Sequence, residues 1–243
     1  MQVLGIDIGG SGLKGAPVDL EKGRLLAERV RIDTPQPAKP AAVAKVFAEL
    51  VAAFDWKGPI GVGFPGIMRQ NTAYSAANLH PSWIGRDLGA LFRRKCQCPV
   101  GVINDADAAG LAEIAFGAGK GRKGSIVLLT LGTGIGSALF IDGKLYPNSE
   151  FGHLFFKNTI AEKYAASSVR KTEKMSWEEW GSRLNEYLIH LQRVIFPDLI
   201  ILGGGVSAKF GRYKKQIRCG SEVVPAKLKN NAGIIGAALA APR

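Results

Sequence analysis

The chain has 243 residues, 47% of them hydrophobic and 21% charged, which is enough apolar material to bury a core and excludes a disordered chain. Lys and Arg number 32 against 20 Asp and Glu, a formal charge of +12, so an anionic partner is expected. No window approaches the roughly 18 uncharged apolar residues of a membrane span, so no transmembrane helix is expected, while nucleic acid, an acidic membrane surface and a polyanionic substrate all suit the charge.

Met1-Gln-Val-Leu-Gly-Ile-Asp7 has no basic region and meets an acid at once, so it reads as a first strand over 2–8 rather than a signal peptide. A Gly-rich turn and a second strand, Leu13–Leu20, follow, then a third strand over 24–32. Pro35, Pro37 and Pro40 mark a loop. Ala41–Phe54 is helical, with Val43, Val46, Phe47 and Leu50 on one face. Ile60–Phe64 is a buried strand running into Pro65-Gly66. Asp87–Arg94 is a helix, Val100–Ile103 a strand and Ala106–Phe116 a helix. Ser125–Leu131 and Ser137–Ile141 are strands around a second Gly-rich turn, and Asp142-Gly143 is a hairpin turn. Helices are expected at Ile160–Val169 and Ser176–Ile195, a strand at Leu199–Leu202, and a small-residue helix at Ala232–Ala241. Strands mixed with crossover helices mean α/β with mixed sheets. The strand–turn–strand theme starts again at Ser125, which suggests two lobes, 1–103 and 104–243, with a cleft between them and the last helix packing back on the first lobe.

Three strand ends carry glycine turns. Gly9-Gly10-Ser11-Gly12, with Lys14, offers backbone N–H groups and a cation to an anion, although it is not a P-loop. Asp7 ends the buried strand before it, where a cation, directly or through water, would offset the cost of burying a carboxylate. Gly132-Thr133-Gly134 and Gly203-Gly204-Gly205 repeat the pattern, and ligands of open α/β folds collect at strand ends. Asn104-Asp105-Ala106-Asp107 follows the strand Val100–Ile103. These are ordinary helix caps, or an Asp positioned to accept a hydroxyl proton beside an Asn that binds the same substrate. Glu150, His153 and Glu162 would suit sugar hydroxyls, although a lone His is more often a structural residue and is read so without further context, and no zinc spacing is present. Gly117–Gly124 is a basic loop carrying Lys120, Arg122 and Lys123, in the wrong order for a dinucleotide fingerprint. Cys96, Cys98 and Cys219 form no disulfide framework and suggest a reducing compartment.

As a set, GIDIGGSGLKGAPVD at 5–19, GFPG at 63–66, NDADAAGLAE at 104–113, LTLGTGIGSALF at 129–140, EFGH at 150–153, PDLIILGGGVS at 197–207 and NNAGIIGAALAA at 230–241 resemble the ROK sugar kinases, within them the polyphosphate glucokinase branch. The resemblance spans nearly the whole chain. It implies the actin-like ATPase (ribonuclease H-like) two-lobed kinase fold and phosphoryl transfer from polyphosphate, with ATP as the alternative donor, to the 6-hydroxyl of glucose. It implies Asp105 as the general base, and Gly66, Asn78, Asn104, Glu150, His153 and Glu162 as sugar-side residues. The donor side is Gly10, Ser11, Gly12, Lys14, Gly132, Thr133, Gly134, Gly204 and Gly205, and Asp7 is the Mg²⁺ residue, acting through water. Many ROK proteins carry a Cys-rich zinc motif, but here no Cys lies between Cys98 and Cys219, so no zinc is expected. A homodimer in the cytoplasm completes the implied picture. A nucleic-acid binder would explain the charge but not the carboxylates, so no specific nucleic acid is expected, and no membrane partner. The basic residues Lys14, Lys120, Arg122, Lys123 and those of Lys209–Arg218 are read as a polyphosphate track.

Overall fold

The computed structural model describes residues 1–77 and 79–242. Asn78, one of the expected sugar-side residues, lies outside the described residues. The chain forms two compact units, Met1–Ala112 with Asn231–Arg243, and Glu113–Asn230. The sequence suggested a division at 103–104; here most of the helix after that point groups with the first unit.

In the first unit the strands are β1 (Gln2–Ile8), β2 (Gly12–Asp19), β3 (Arg24–Leu25), β4 (Val30–Asp33) and β5 (Ile60–Phe64). A two-stranded ribbon of β6 (Met68–Arg69) and β7 (Thr72–Ala73) follows, then β8 (Val100–Asn104). The helices are α1 (Pro40–Ala52), α2 (Leu88–Cys96) and α3 (Asp105–Phe116). The main sheet runs β3-β2-β1-β5-β8: β1 and β2 are antiparallel, and β1, β5 and β8 are parallel. α1 starts at Pro40 and buries Val43, Phe47 and Leu50, with Phe47 stacked on Phe92 of α2 at 4.3 Å between ring centroids.

The expected third strand is two. β4 pairs with the start of β2 and β3 with its end. Between them Pro17 of β2 accepts a hydrogen bond from Leu26 N–H at 2.8 Å but has no N–H to return, so the ladder on that side breaks there.

The second unit has β9 (Ser125–Leu131), β10 (Ile135–Ile141), β11 (Lys144–Tyr146), the small hairpin β12 (Phe155–Phe156) and β13 (Thr159–Ile160), helices α4 (Ala161–Ala165), α5 (Ser167–Thr172) and α6 (Trp177–Ile195), then β14 (Leu199–Gly203) and β15 (Glu222–Pro225). Its sheet runs β11-β10-β9-β14-β15, with β9 and β10 antiparallel and β9, β14 and β15 parallel. That repeats the first unit's pattern: a hairpin, a glycine turn, then parallel strands. The helix expected over 160–169 is split at Ala166, which is extended (φ −61°, ψ 154°). The carbonyl of Ala165 turns to the buried Trp180 indole at 3.1 Å instead of continuing a helical ladder, and that of Ala166, 3.2 Å from the same nitrogen, opens α5 by accepting Val169 N–H at 3.1 Å. α6 opens on a reciprocal capping box between Ser176 and Glu179 and buries Trp180, Leu184, Tyr187, Leu188 and Leu191.

The last helix, α7 (Ala232–Leu239), belongs to the first unit and lies directly on its sheet. A Cβ on Gly5 of β1 would meet Ile234 O at 2.0 Å, and one on Gly61 of β5 would meet Ala237 O at 1.7 Å. Only glycine allows this backbone-on-backbone approach. No helix among the described residues is long and apolar enough to cross a membrane.

Candidate active site

In the first unit the parallel register sets Asp7 beside Gly63, and Gly63 beside Ile103. The ends of β1, β5 and β8 therefore line up, and Asp105 stands two residues past Ile103, at the head of α3. A Cβ on Gly63 would sit 3.6 Å from Asp105 Cα and 3.8 Å from Asp7 Oδ1, so Gly63 forms the floor between the two acids. Asp7 is 25% exposed, and Lys14, its cross-strand neighbour, places Nζ at 3.8 Å. Burial pushes the Asp7 carboxyl above the ordinary range, and Lys14 partly opposes it. Gly233 of α7 closes the other side, with its Cβ position 3.2 Å from Asp7 Cγ.

Asn104 is buried and does two jobs. Its Oδ1 accepts the N–H groups of Ala106 and Asp107, both at 2.9 Å, which caps α3, and its amide donates to Gly66 O at 3.1 Å. The cap reading of Asn104 is thus realised, and it fixes the head of the helix that carries Asp105. Asp105 Oδ1 accepts Ala106 N–H at 2.8 Å, and the helix N-terminus favours its negative charge. Gly66 is a packing glycine: a Cβ there would meet Ser75 O at 2.3 Å.

The first glycine turn is closed by Gly9 N–H to Gly12 O at 3.0 Å. Its carbonyls are tied off from outside, by Thr34 on Gly9 O, Gln36 on Gly10 O and Arg31 on Ser11 O. The N–H groups of Gly10 and Ser11 have no acceptor among the described residues, so the turn presents donors and no competing acceptors.

The second unit repeats the device. Gly132 N–H closes on Gly134 O at 3.0 Å, and Ser168 takes the turn's carbonyls, donating by N–H to Gly132 O at 3.0 Å and by Oγ to Thr133 O at 2.6 Å. Gly204 has φ +77°, and a Cβ there would lie 2.5 Å from Leu131 O, while Gly205 faces open space. Glu162 Oε2 accepts Ile135 N–H at 3.3 Å beside Gly134. His153 bridges two acids, with Nδ1 3.7 Å from Glu150 Oε2 and Nε2 3.9 Å from Glu162 Oε1. Burial raises the Glu150 carboxyl above the ordinary range; His153 lowers it and Glu162 adds to the rise. A cavity of about 320 Å³ opens beside the turn, lined by Thr133, Glu162, Ser168, Thr172 and three neighbours.

The structure thus gathers Asp7, Gly10–Gly12, Lys14, Gly66, Asn104 and Asp105 in one unit, and Gly132–Gly134, Glu150, His153, Glu162, Gly204 and Gly205 in the other. The residues that hold them were not singled out from sequence. Ser137 Oγ donates to Ser149 O and accepts Phe151 N–H, and the buried Tyr187 hydroxyl donates to Phe151 O at 3.1 Å, which pins the Glu150–His153 loop. Their only sequence signal is a lone polar group within an apolar strand or helix face. Two of the basic residues read as a track are engaged: Lys14 with Asp7, and Arg122 with Glu222. Among the described residues no group of three or more His, Cys, Asp or Glu side chains is placed to hold a metal ion.

One strand pattern used twice, with a glycine turn inside each leading hairpin and a helix-borne Asp in the first unit, is the α/β architecture of the two-lobed kinases. The chain belongs to the ROK family, whose model matches residues 3–161. Among similar proteins, the polyphosphate glucokinase of Mycobacterium tuberculosis (strain ATCC 25618 / H37Rv) is 48% identical over 240 residues, covering 97% of this chain and 89% of its own length. That of Mycobacterium leprae (strain TN) is 48% identical over 237 residues, covering 97% and 73%. The crystal structure of an inorganic polyphosphate/ATP-glucomannokinase from Arthrobacter sp. strain KM matches with a TM-score of 0.93 at 46% identity, covering 98% of this chain and 97% of that one.

Proposed function

We propose that the protein transfers the terminal phosphoryl group of inorganic polyphosphate to the 6-hydroxyl of glucose, giving glucose 6-phosphate. The observation that carries this reading is the near-full-length match, at 48% identity, to the polyphosphate glucokinases. The residue roles are those that the resemblance to the ROK sugar kinases implies, and the geometry of each unit is consistent with them.

Transfer of this kind needs positioning, charge neutralisation and a placed base more than covalent chemistry. Asp105 takes the proton of the attacking hydroxyl; its carboxylate is oriented by Ala106 N–H and by the helix end that Asn104 caps. Glu150, His153 and Glu162 bind sugar hydroxyls, and Asn104, whose oxygen is taken by the cap, contributes the second N–H of its amide. The donor-only turns at Gly10–Gly12 and Gly132–Gly134 receive phosphate oxygens, and Gly205 leaves room for them.

Mg²⁺ fits Asp7. The carboxylate is largely covered, its charged form is disfavoured by burial, and it stands without a cage of further acids, which suits an ion that keeps its waters and takes one carboxylate plus substrate phosphates. Bound there, the ion supplies neutralisation of phosphate charge. A homodimer in the cytoplasm completes the reading.

The test is a donor panel with glucose: ATP and polyphosphates of increasing length. Polyphosphate should support turnover, with KM falling as the chain lengthens. ATP as the better donor at every length and salt concentration would make the protein an ATP-dependent ROK glucokinase, a reading that the name of the Arthrobacter enzyme keeps in view. No turnover with either donor, but tight glucose binding, would make it a sugar-binding regulator.

A further inference from the structure

The segment after the Gly203–Gly205 turn is strongly basic. Val206 leads into two tight turns, Ser207–Arg212 and Lys214–Gln216, which carry Lys209, Arg212, Lys214 and Lys215. All four are exposed, and among the described residues none is in an ion pair. Elsewhere in the unit, Arg122, Lys157 and Arg183 are each matched to a glutamate, whereas Lys120, Lys123, Lys171 and Lys174 are exposed and, among the described residues, in no ion pair either, so the lack of pairing alone does not set the segment apart.

A run of like charge on an ordinary surface needs no ligand. This one borders a concavity. A cavity of about 650 Å³ opens between the segment and the head of α6, lined by Arg212, Lys215, Gly211 and Gln216 on one side and Ser176, Trp177 and Glu178 on the other. The head of α6 adds charge of the same sign. The capping box satisfies the N–H groups of Ser176 and Glu179, at 2.7 and 3.1 Å. The N–H groups of Trp177 and Glu178 are left without a protein acceptor among the described residues, at the positive end of a 19-residue helix. Trp177 stacks on Tyr213 with ring centroids 5.9 Å apart, and the Arg170 guanidinium lies 4.1 Å from the Trp177 ring, with its Nε buried and unbonded. In the lining, Arg212, Lys215 and the helix end stand against Glu178; next to it, Arg170 on the indole is offset by Glu179, the second acid of the first turn.

We infer that this cavity is a distal anchor for the polyphosphate chain, holding phosphates well away from the reacting end. The inference rests on polyphosphate being the donor. Arg212 is seven residues past Gly205, so the cavity lies within about 25 Å of the glycine turn even for a fully extended backbone. A long polyanion occupies both places at once, and its second contact is then intramolecular, which raises apparent affinity without new chemistry at the reacting phosphate. A triphosphate occupies the turn alone.

The test compares wild type with Arg212→Ala/Lys215→Ala, and with Lys45→Ala/Lys95→Ala as a control that removes the same charge from exposed positions of the first unit. The anchor variant should raise KM for long polyphosphate about ten-fold or more, with kcat unchanged and KM for tripolyphosphate and ATP unchanged. Its slope of log KM for long polyphosphate against log salt should fall by about 1.4, the loss of two phosphate contacts on a flexible polyanion. The control should do neither. Equal effects on long and short donors, no effect on either, or the same effect in the control would overturn the anchor. If wild type fails to use polyphosphate at all, the donor reading falls by itself. Direct binding of long polyphosphate to wild type and anchor variant then decides the cavity: a selective loss in the variant upholds it, and equal binding overturns it.

Discussion

The two units use the same strand pattern and hold their candidate groups in opposite ways. In the first, Asp7 and Asp105 stand at the ends of parallel strands that are locked from behind by backbone, with Gly5 and Gly61 pressed against the carbonyls of α7. In the second, the sheet is faced by the large side chains of α6, and Glu150 and His153 ride on a loop pinned by Ser137 and Tyr187. Backbone contact leaves little room for adjustment, whereas a pinned loop can yield. The first arrangement suits the groups at which charge moves. The second suits groups that match a set of hydroxyls.

The sharpest test of that contrast is Asp105→Asn. It should lower kcat by about 100- to 10,000-fold while calorimetry still finds glucose binding. A variant that keeps more than a tenth of its rate would reduce Asp105 to a helix-end residue. Packing supplies the next test. Gly61→Ala forces a methyl to within 1.7 Å of Ala237 O, whereas Gly132→Ala meets nothing within 4 Å. The first should cost about 3 kcal/mol or more in urea unfolding and the second about 0.5 kcal/mol or less. Equal losses would mean that α7 does not lock the sheet.

On the second unit, Glu150→Gln and His153→Ala should each raise KM for glucose about ten-fold and leave KM for the donor nearly unchanged, as expected for a lost charge-assisted hydrogen bond. Parallel rises in both constants would make the loop structural. The smallest effect concerns stability at Asp7. Burial raises its folded pKa, so the folded state holds the proton more tightly than the unfolded chain does. Stability therefore falls as pH rises from the ordinary carboxylate range through the folded pKa, and stays lower above it. Asp7→Asn removes that loss, so its Tm at neutral pH should exceed that of wild type even though turnover is lost. The gap should close in acid, and a lower Tm at neutral pH would show that the Lys14 pair outweighs burial.

Local chemistry made much of this legible in the sequence. The glycine turns, the helix start at Ser176 and the return of the strand–turn–strand theme at Ser125 are all written in short-range residue choices. What was not legible depends on distant partners. Nothing local in Ala161–Val169 says that an indole fifteen residues on will take the carbonyl of Ala165 and break the helix. The pairing of Glu222–Pro225 with β14 is set by a parallel partner about twenty residues earlier. Glu113 reads as an ordinary helix-face acid, yet it is fully buried and accepts the N–H groups of Ala118, Lys227 and Leu228. Pro17 is the exception: its missing N–H is a local signal for the break in the strand expected over 24–32.

The placement of α7 also orders events in time. Residues 113–230 form the second unit without interruption, whereas the first unit draws on both ends of the chain. During synthesis the second unit has all its residues while the face of β1 and β5 that α7 covers is still bare. The first sheet has all its strands by Asn104, yet the face that α7 covers is the last to be sealed, and it stays open to wrong packing for as long as the ribosome takes to deliver Gly233 and the rest of that helix.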